Sequence, residues 1–316
     1  MLHFLRAAGI HNIVQRPSTL EPTTRGQIVG ANVSRLLRTI SESELLEHAN
    51  QPDREQVRLA QSGFLLSEMP LGKFYEDRYS APLLNIEQAD LLALVQTNTD
   101  EPDTSNFDVV IDARPLETTP SDYKLWQSNT EITDPSSLRM NISWMGDDFM
   151  AWQFATPAKL HFVWFAKSLP KPEQLHPALH PYLECEEPLV VGSGNVNETM
   201  YSGNTAFVST AVSKPWPTQL PFTNYGVEDA WVLARMLENY EDHLSTALSE
   251  YEKYRLPRHR KVNNYSELYL GRYLHKTGMS KLGRNLGIAL RSRFLPEMAM
   301  QQVDWFHQYD CIRGFR

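Results

Sequence analysis

Between Tyr123 and Phe165 the apolar residues recur at alternate positions: Trp126, then Met140, Ile142 and Trp144, then Met150, Trp152 and Phe154, then Leu160, Phe162 and Trp164. A period of two with aromatic content is the pattern of strands that bury one face, and it predicts an antiparallel sheet. Upstream, Leu2 to Ala8 predicts a short helix ended by Gly9, and Ile10 to Val14 a strand entering the turn at Pro17. Asn32 to Ile40 and Ala89 to Val95 read as amphipathic helices, with a polar helical stretch from Glu42 to Gln61 between them. Phe107 to Ile111 reads as a buried strand after the turn-rich segment Gln96 to Asn106, and Arg114-Pro115 falls in the loop beyond it. The proline-rich stretch Leu169 to Pro188 predicts a surface course, and Glu198 to Tyr201 a strand before the loop Gly203-Asn204-Thr205-Ala206. Past Pro221 the period becomes helical, over Gly226 to Tyr240, His243 to Leu256, Arg258 to Lys276 and Lys281 to Phe294.

With 316 residues, 41% of them hydrophobic, the chain can bury a sizeable core as one globular unit or as a cofactor-type domain with an insertion. No apolar run approaches the roughly 20 residues of a membrane span, and the first residues lack the pattern of a secretory signal. Two cysteines, Cys185 and Cys311, give no disulfide framework and suit a reducing compartment, so the expected location is cytoplasmic. A net charge of −8 argues against nonspecific nucleic-acid binding. Locally the balance reverses: Tyr251 to Arg316 holds 13 Lys or Arg against 5 Asp or Glu. A solvated helical face is the commoner meaning of such a run, and a surface for an acidic partner the other.

Few residues carry obvious chemistry. His161 is the one evident acid or base on the alternating strands, and a lone histidine is more often hydrogen-bonded structure. Asp147-Asp148 could transfer protons as a carboxylate pair, but beside Gly146 they predict a hairpin turn. His176 and His180 are four apart, yet Pro177 and the lack of further ligands leave no expected metal site. Gly192-Ser193-Gly194 is a lone G-x-G and reads as an ordinary turn.

The segment Gly226-Val-Glu-Asp-Ala-Trp-Val-Leu-Ala-Arg-Met-Leu237, followed by Tyr251-Glu-Lys-Tyr-Arg-Leu-Pro-Arg258, resembles two helices of the FAD-dependent aromatic hydroxylases, the flavoprotein monooxygenases of the para-hydroxybenzoate hydroxylase type. Trp305-Phe-His-Gln-Tyr-Asp310 resembles that family's ending, and Gly26-Gln-Ile-Val-Gly30-Ala-Asn32 its G-I-x-L-x-x-N loop. The resemblance covers almost the whole chain, most strongly from Met200 onward. It implies an α/β (α+β) fold: a degenerate Rossmann-like FAD-type domain over 1–118 and 189–260, an inserted antiparallel substrate sheet over 119–188, and a C-terminal helical region over 261–316.

The same resemblance marks departures at the positions that would hold FAD. The first strand and its Gly-rich turn have no counterpart. Gln15 stands where a ribose-binding carboxylate is expected, Gln88 replaces an arginine, and Arg114-Pro115 replace an Asp-Gly pair. Gly203-Asn204 correspond to a Gly-Asp motif. Four or five lost contacts, at about 1 to 3 kcal/mol each, would remove most of a nanomolar site worth about 12 kcal/mol. The expectation is therefore a chain without cofactor that acts as a cyclase or isomerase, with a pericyclic reaction among the candidates, on a small apolar metabolite of natural-product assembly. Trp126, Trp144, Trp152, Phe162 and Trp164 are its candidate pocket, and His161, Asp147 and Asp148 its weak catalytic candidates. Two alternatives stand beside it: a monooxygenase using FAD with NAD(P)H whose N-terminus is truncated or divergent, and a non-catalytic partner that self-associates or pairs with a homologue.

Overall fold

The computed structural model describes residues 13–16, 25–95, 109–117, 120–192, 196–218, 221, 224–240, 243–274, 276–294 and 296–315. In chain order the first elements are β1 (Ile13–Arg16), β2 (Gly26–Val29), α1 (Ala31–Glu47), β3 (Ala49–Asn50), β4 (Arg54–Leu59), β5 (Leu65–Pro70) and α2 (Gly72–Tyr79). They are followed by β6 (Leu84–Glu87), α3 (Gln88–Val95), β7 (Val109–Asp112), β8 (Pro120–Glu131), β9 (Met140–Met145), β10 (Phe149–Ala155) and β11 (Lys159–Ala166). After a run of 3-10 turns come β12 (Leu189–Gly192), β13 (Tyr201–Ser202), β14 (Thr205–Phe207), α4 (Gly226–Asn239), α5 (Leu244–Tyr273), α6 (Gly278–Phe294) and α7 (Pro296–His307). The expected helix at Leu2 to Ala8, the start of the strand at Ile10, the segment Gln96 to Asn106 and the Ser193-Gly194 turn lie outside the described residues.

Two short parallel pairings, β1 with β7 and β7 with β14, form the Rossmann-like part. Val109, Ile111, Ala206 and Val208 of this sheet bury against Leu36 of α1, Val232, Leu233 and Met236 of α4, and Leu248 and Tyr251 of α5. The helix α4 packs here because its apolar residues recur at three and four positions, a stripe that the sheet and the neighbouring helices cover. A network of buried charges locks the same helices. Glu228 accepts from Arg255 and Arg258 at 2.7 and 2.8 Å, and Asp229 from Arg255 at 2.7 Å and from His259 at 3.0 Å. Asn32 of α1 donates to Glu228 at 2.6 Å, and Arg258 donates to the carbonyls of Trp305 and Phe306. The residues that carry the resemblance, Gly226 to Leu237 and Arg255 to Arg258, are thus the joints of the scaffold. The network also explains why α5 runs unbroken through Pro257, where the sequence predicts two helices. The buried side chains of Arg255, Leu256, Arg258 and His259 fix the helix on both sides of the missing N–H.

The large sheet has seven strands in the order β12-β8-β11-β10-β9-β4-β5. The antiparallel part follows the alternation, with Trp152 opposite Ser143 and Val163, and Ala151 opposite Trp144 and Trp164. Strand β4 joins it from the segment expected to be helical as far as Gln61, and β5 follows at its edge. Helix α1 stops at Glu47, and β4 runs parallel to β9 with Gln56 opposite Ile142. Its sequence, Arg-Glu-Gln-Val-Arg-Leu, lacks a clean alternation because neither face of the strand is uniformly apolar.

His161 couples this sheet to the three-stranded sheet β2-β6-β3. Gly26 N–H donates to its Nδ1 at 3.1 Å, so the proton sits on Nε2, which donates to Glu87 at 2.6 Å. A Cβ on residue 26 would lie 2.6 Å from the imidazole, which is why glycine is needed there. His161 is thus buried and hydrogen-bonded through both ring nitrogens.

Candidate functional site

A cavity of about 170 Å³ lies between the inner face of the large sheet and helices α2, α5, α6 and α7. The sheet contributes Glu55, Asn141, Ser143, Met150 and Trp152, and the helices Tyr75, Tyr79, Tyr269, Tyr273, Arg291 and His307. A dry cavity of about 150 Å³ accommodates benzene, so this volume suits a ligand built on one ring. Two polar points stand out on the apolar wall. Burial raises the Glu55 carboxyl above the usual carboxylate range, against the opposing effect of the hydrogen bond that Ser143 donates at 3.1 Å. On the other side, Ala31 N–H donates to the Tyr75 hydroxyl at 3.1 Å, and Tyr75 sits 2.8 Å from His307 Nδ1. Burial lowers His307 to about 3, so its ring is neutral, Nδ1 accepts from Tyr75, and the proton resides on Nε2.

Of the five aromatics expected to line a pocket, Trp152 does so. Trp126, Trp144, Phe162 and Trp164 pack instead on the opposite face, beneath Leu175 and Leu179. The reason is register. Side chains directly opposite across paired strands share a face, so the face of Trp152 contains Ser143, whereas Trp144 shares its face with Ala151. Single-strand alternation cannot supply that pairing. His161 is tied to Glu87 and Gly26 outside the cavity lining. Asp147 and Asp148 form the predicted turn between β9 and β10, where Asp147 meets Lys281 at 2.5 Å. Glu55 is not distinguished in the sequence because its segment predicts a helix, and Tyr75 and His307 are not because nothing local separates them from core residues.

Ligands of open α/β sheets sit beyond the carboxyl ends of the parallel strands. At the end of β7 are Asp112 and Arg114, whose guanidinium is paired with Asp112 at 2.6 Å yet 60% exposed, with Pro115 next. Gly203 and Asn204 lie in the turn that enters β14, at the opposite end: Asn204 carbonyl accepts from Val110 N–H at 3.0 Å. They therefore lie away from the strand end at which the Gly-Asp motif they correspond to would meet a ligand. The residues that leave β14 at its carboxyl end are Ser209 and Thr210. Ser209 has φ +54°, the left-handed backbone that favours glycine, and its N–H donates to Asp229 at 2.7 Å. Gln15 is in β1 opposite Ile111, and Gln88 opens α3 with its N–H donating to the Arg25 carbonyl at 2.8 Å.

Arg25 bears on how a cofactor would fit. Its Nε is buried and has no hydrogen-bond partner among the described residues. The backbone of Arg25 accepts from that of Gln88, the position the resemblance assigns to an arginine, and an anionic oxygen would satisfy the unused guanidinium donor. The donor chemistry at this place fits FAD, although Gln88 itself carries no charge.

A further constellation escaped the sequence reading. Ser213 lies 2.8 Å from His259 Nδ1, and His259 Nε2 is 3.0 Å from Asp229. The order matches a nucleophile, base and acid, but Ser213 is buried, its hydroxyl is shared with Tyr225, and Asp229 is committed to Arg255. It works as a packing network. No group of three or more potential metal ligands occurs among the described residues, and none of their helices is long and apolar enough to cross a membrane.

No family model and no curated protein matches the chain. Solved structures do. HpxO of Klebsiella pneumoniae, complexed with FAD and uric acid, shares 17% identity at a TM-score of 0.71, covering 94% of this chain and 92% of that one. CtdE, in complex with FAD and a substrate, shares 12% identity at a TM-score of 0.71 with 96% of each chain covered. The 2,6-dihydroxypyridine-3-hydroxylase of Arthrobacter nicotinovorans shares 16% identity at 0.66, covering 87% and 89%. The expectation that no cofactor belongs here is corrected by these FAD-bound neighbours, because the framework that this chain keeps is the one that holds FAD in HpxO and CtdE. The chain has the fold of the FAD-dependent aromatic hydroxylases, the flavoprotein monooxygenases of the para-hydroxybenzoate hydroxylase type.

Proposed function

We propose that this protein is a FAD-dependent monooxygenase that hydroxylates a small aromatic molecule, using NAD(P)H as reductant. The observation that carries the reading is the cavity of about 170 Å³ on the inner sheet face, with one ionisable carboxyl at its wall. FAD, once reduced, would supply the activated oxygen. The chain's own residues bind and orient the substrate. Trp152 and Tyr269 offer aromatic faces to a planar ring, and Arg291 offers a cation for an acidic substituent. Glu55 accepts a hydrogen bond from a ring hydroxyl, and withdrawal of that proton raises the electron density of the ring toward oxygen transfer. Burial of the carboxyl brings its pKa closer to the working pH, as a general base requires. No separate observation favours the cyclase or isomerase reading.

The experiment supplies FAD and NADH and screens hydroxylated single-ring acids and phenols. At least one should accelerate NADH oxidation and yield a product heavier by one oxygen atom, and Glu55→Gln should lower that rate about 100-fold or more, the usual contribution of a positioned base. If no compound stimulates NADH consumption by FAD-loaded protein, the hydroxylase reading fails.

A further inference from the structure

Helix α6 presents a row of large apolar residues to solvent. Met279, Leu282, Leu286, Leu290 and Phe294 follow one another at three or four positions, and Met279 and Phe294 are 80% and 68% exposed. No residue of the helix is buried, so the row is not the edge of a core. Charge is arranged with it. From Arg272 to Phe294 the chain places six of its 30 Lys and Arg and none of its 38 Asp and Glu. Beside the row, where α6 meets the end of α5, Arg272, Lys276, Arg284 and Arg291 surround a recess of about 350 Å³. One of these, Arg284, has a buried Nη2 with no hydrogen-bond partner among the described residues, and burial lowers its pKa from the ordinary arginine value. A guanidinium desolvated in that way, among three further cations, calls for an anionic oxygen.

We propose that α6 lies flat on an anionic lipid surface, with the apolar row in the acyl boundary and the recess holding a headgroup phosphate. An apolar face flanked by Lys and Arg is the pattern of helices that sit in the plane of the interface. Charge complementarity selects the bilayer over a second copy of this chain: both apolar rows of a symmetric pair would bring their cations together, whereas anionic headgroups neutralise them. The acidic remainder of the chain is repelled from the same surface, which orients the molecule with α6 down. Ile288 and Arg291 line both the recess and the cavity above the sheet, so an apolar ligand leaving the bilayer would meet the cavity directly. Surface docking is independent of FAD and stands or falls without the hydroxylase reading.

Flotation of the full chain with phosphatidylcholine vesicles, alone and mixed with phosphatidylserine, tests it. The protein should float with the mixed vesicles, and high salt should release it. Leu286→Gln/Leu290→Gln removes apolar area from exposed positions and should weaken partitioning about tenfold or more, while Arg272→Gln/Arg293→Gln should weaken it by about fivefold for each charge removed. Circular dichroism checks that both variants fold. The proposal is overturned if the protein stays with neither vesicle, if both double variants float like the parent, or if the parent is a dimer in solution that Leu286→Gln/Leu290→Gln splits without any vesicle binding.

Discussion

Two buried carboxyls show how position sets behaviour at the scale of single residues. Burial alone would raise the Asp229 carboxyl, but the charges of His259 and Arg255 and the bonds they donate outweigh it and hold the group at about 2. A folded pKa below the unfolded value means that Asp229 contributes stability at and above the unfolded pKa, near 4, and loses it as the pH falls toward 2. The shift corresponds to about 2 kcal/mol. Urea unfolding followed from pH 6 to pH 2 should show this loss, and Asp229→Asn, which leaves Arg255 and His259 buried and short of a partner, should cost about 3 to 5 kcal/mol at neutral pH. A cost under about 1 kcal/mol would mean that the network is not closed. Glu55 behaves in the opposite sense. Its folded pKa is raised by burial, so the fold disfavours its charged form, and stability declines as the pH rises through that pKa. Glu55→Gln should therefore melt higher than the parent near pH 7, with the difference shrinking below pH 4.5, near the unfolded value; a variant less stable at all pH values would contradict that assignment.

At the scale of elements, the alternating pattern announced β8 to β11 and the helical periods announced α1, α3, α4 and α6, because a face that must be buried writes its period into the sequence. What it could not announce was register. Trp144 and Trp152 look equivalent along the chain, yet pairing across strands puts them on opposite faces, one under Leu179 and the other in the cavity. Strand β4 was hidden for the complementary reason: Glu55 faces a cavity rather than a core, so the polar residue that matters most erased the strand signal around it. Gly203 and Asn204 are in the expected loop, but a Gly-Asn pair marks a turn at either end of a strand, and only the strand direction says which end that is. These placements separate two tryptophans experimentally. Trp164→Ala should cost about 3 to 5 kcal/mol in urea unfolding, as a filled core site does, while Trp152→Ala should enlarge the cavity and shift which rings it accepts. Equal effects of both on ligand choice would contradict the two-faced sheet.

For the whole molecule, the residues most legible in the sequence were those of the scaffold. Gly226 to Leu237 and Arg255 to Arg258 form a buried charge network that any protein of this fold can use whatever it binds, so their presence reports architecture. The departures from the family pattern fall at Gln15, Gln88, Arg114 and Pro115, and Arg25, whose backbone pairs with that of Gln88, carries an unpaired side-chain nitrogen. The proposed use of FAD, through a rearranged set of contacts, rests on a fold shared with HpxO and CtdE over more than nine-tenths of the chain and on that unpaired donor. Titration of the purified protein with FAD, read by thermal shift and by quenching of flavin fluorescence, tests this most directly. The account predicts saturable binding that raises the melting temperature and that Arg25→Met weakens by about tenfold or more, the loss of one charged hydrogen bond; a protein that stays colourless, with no thermal shift at any FAD concentration, would contradict it.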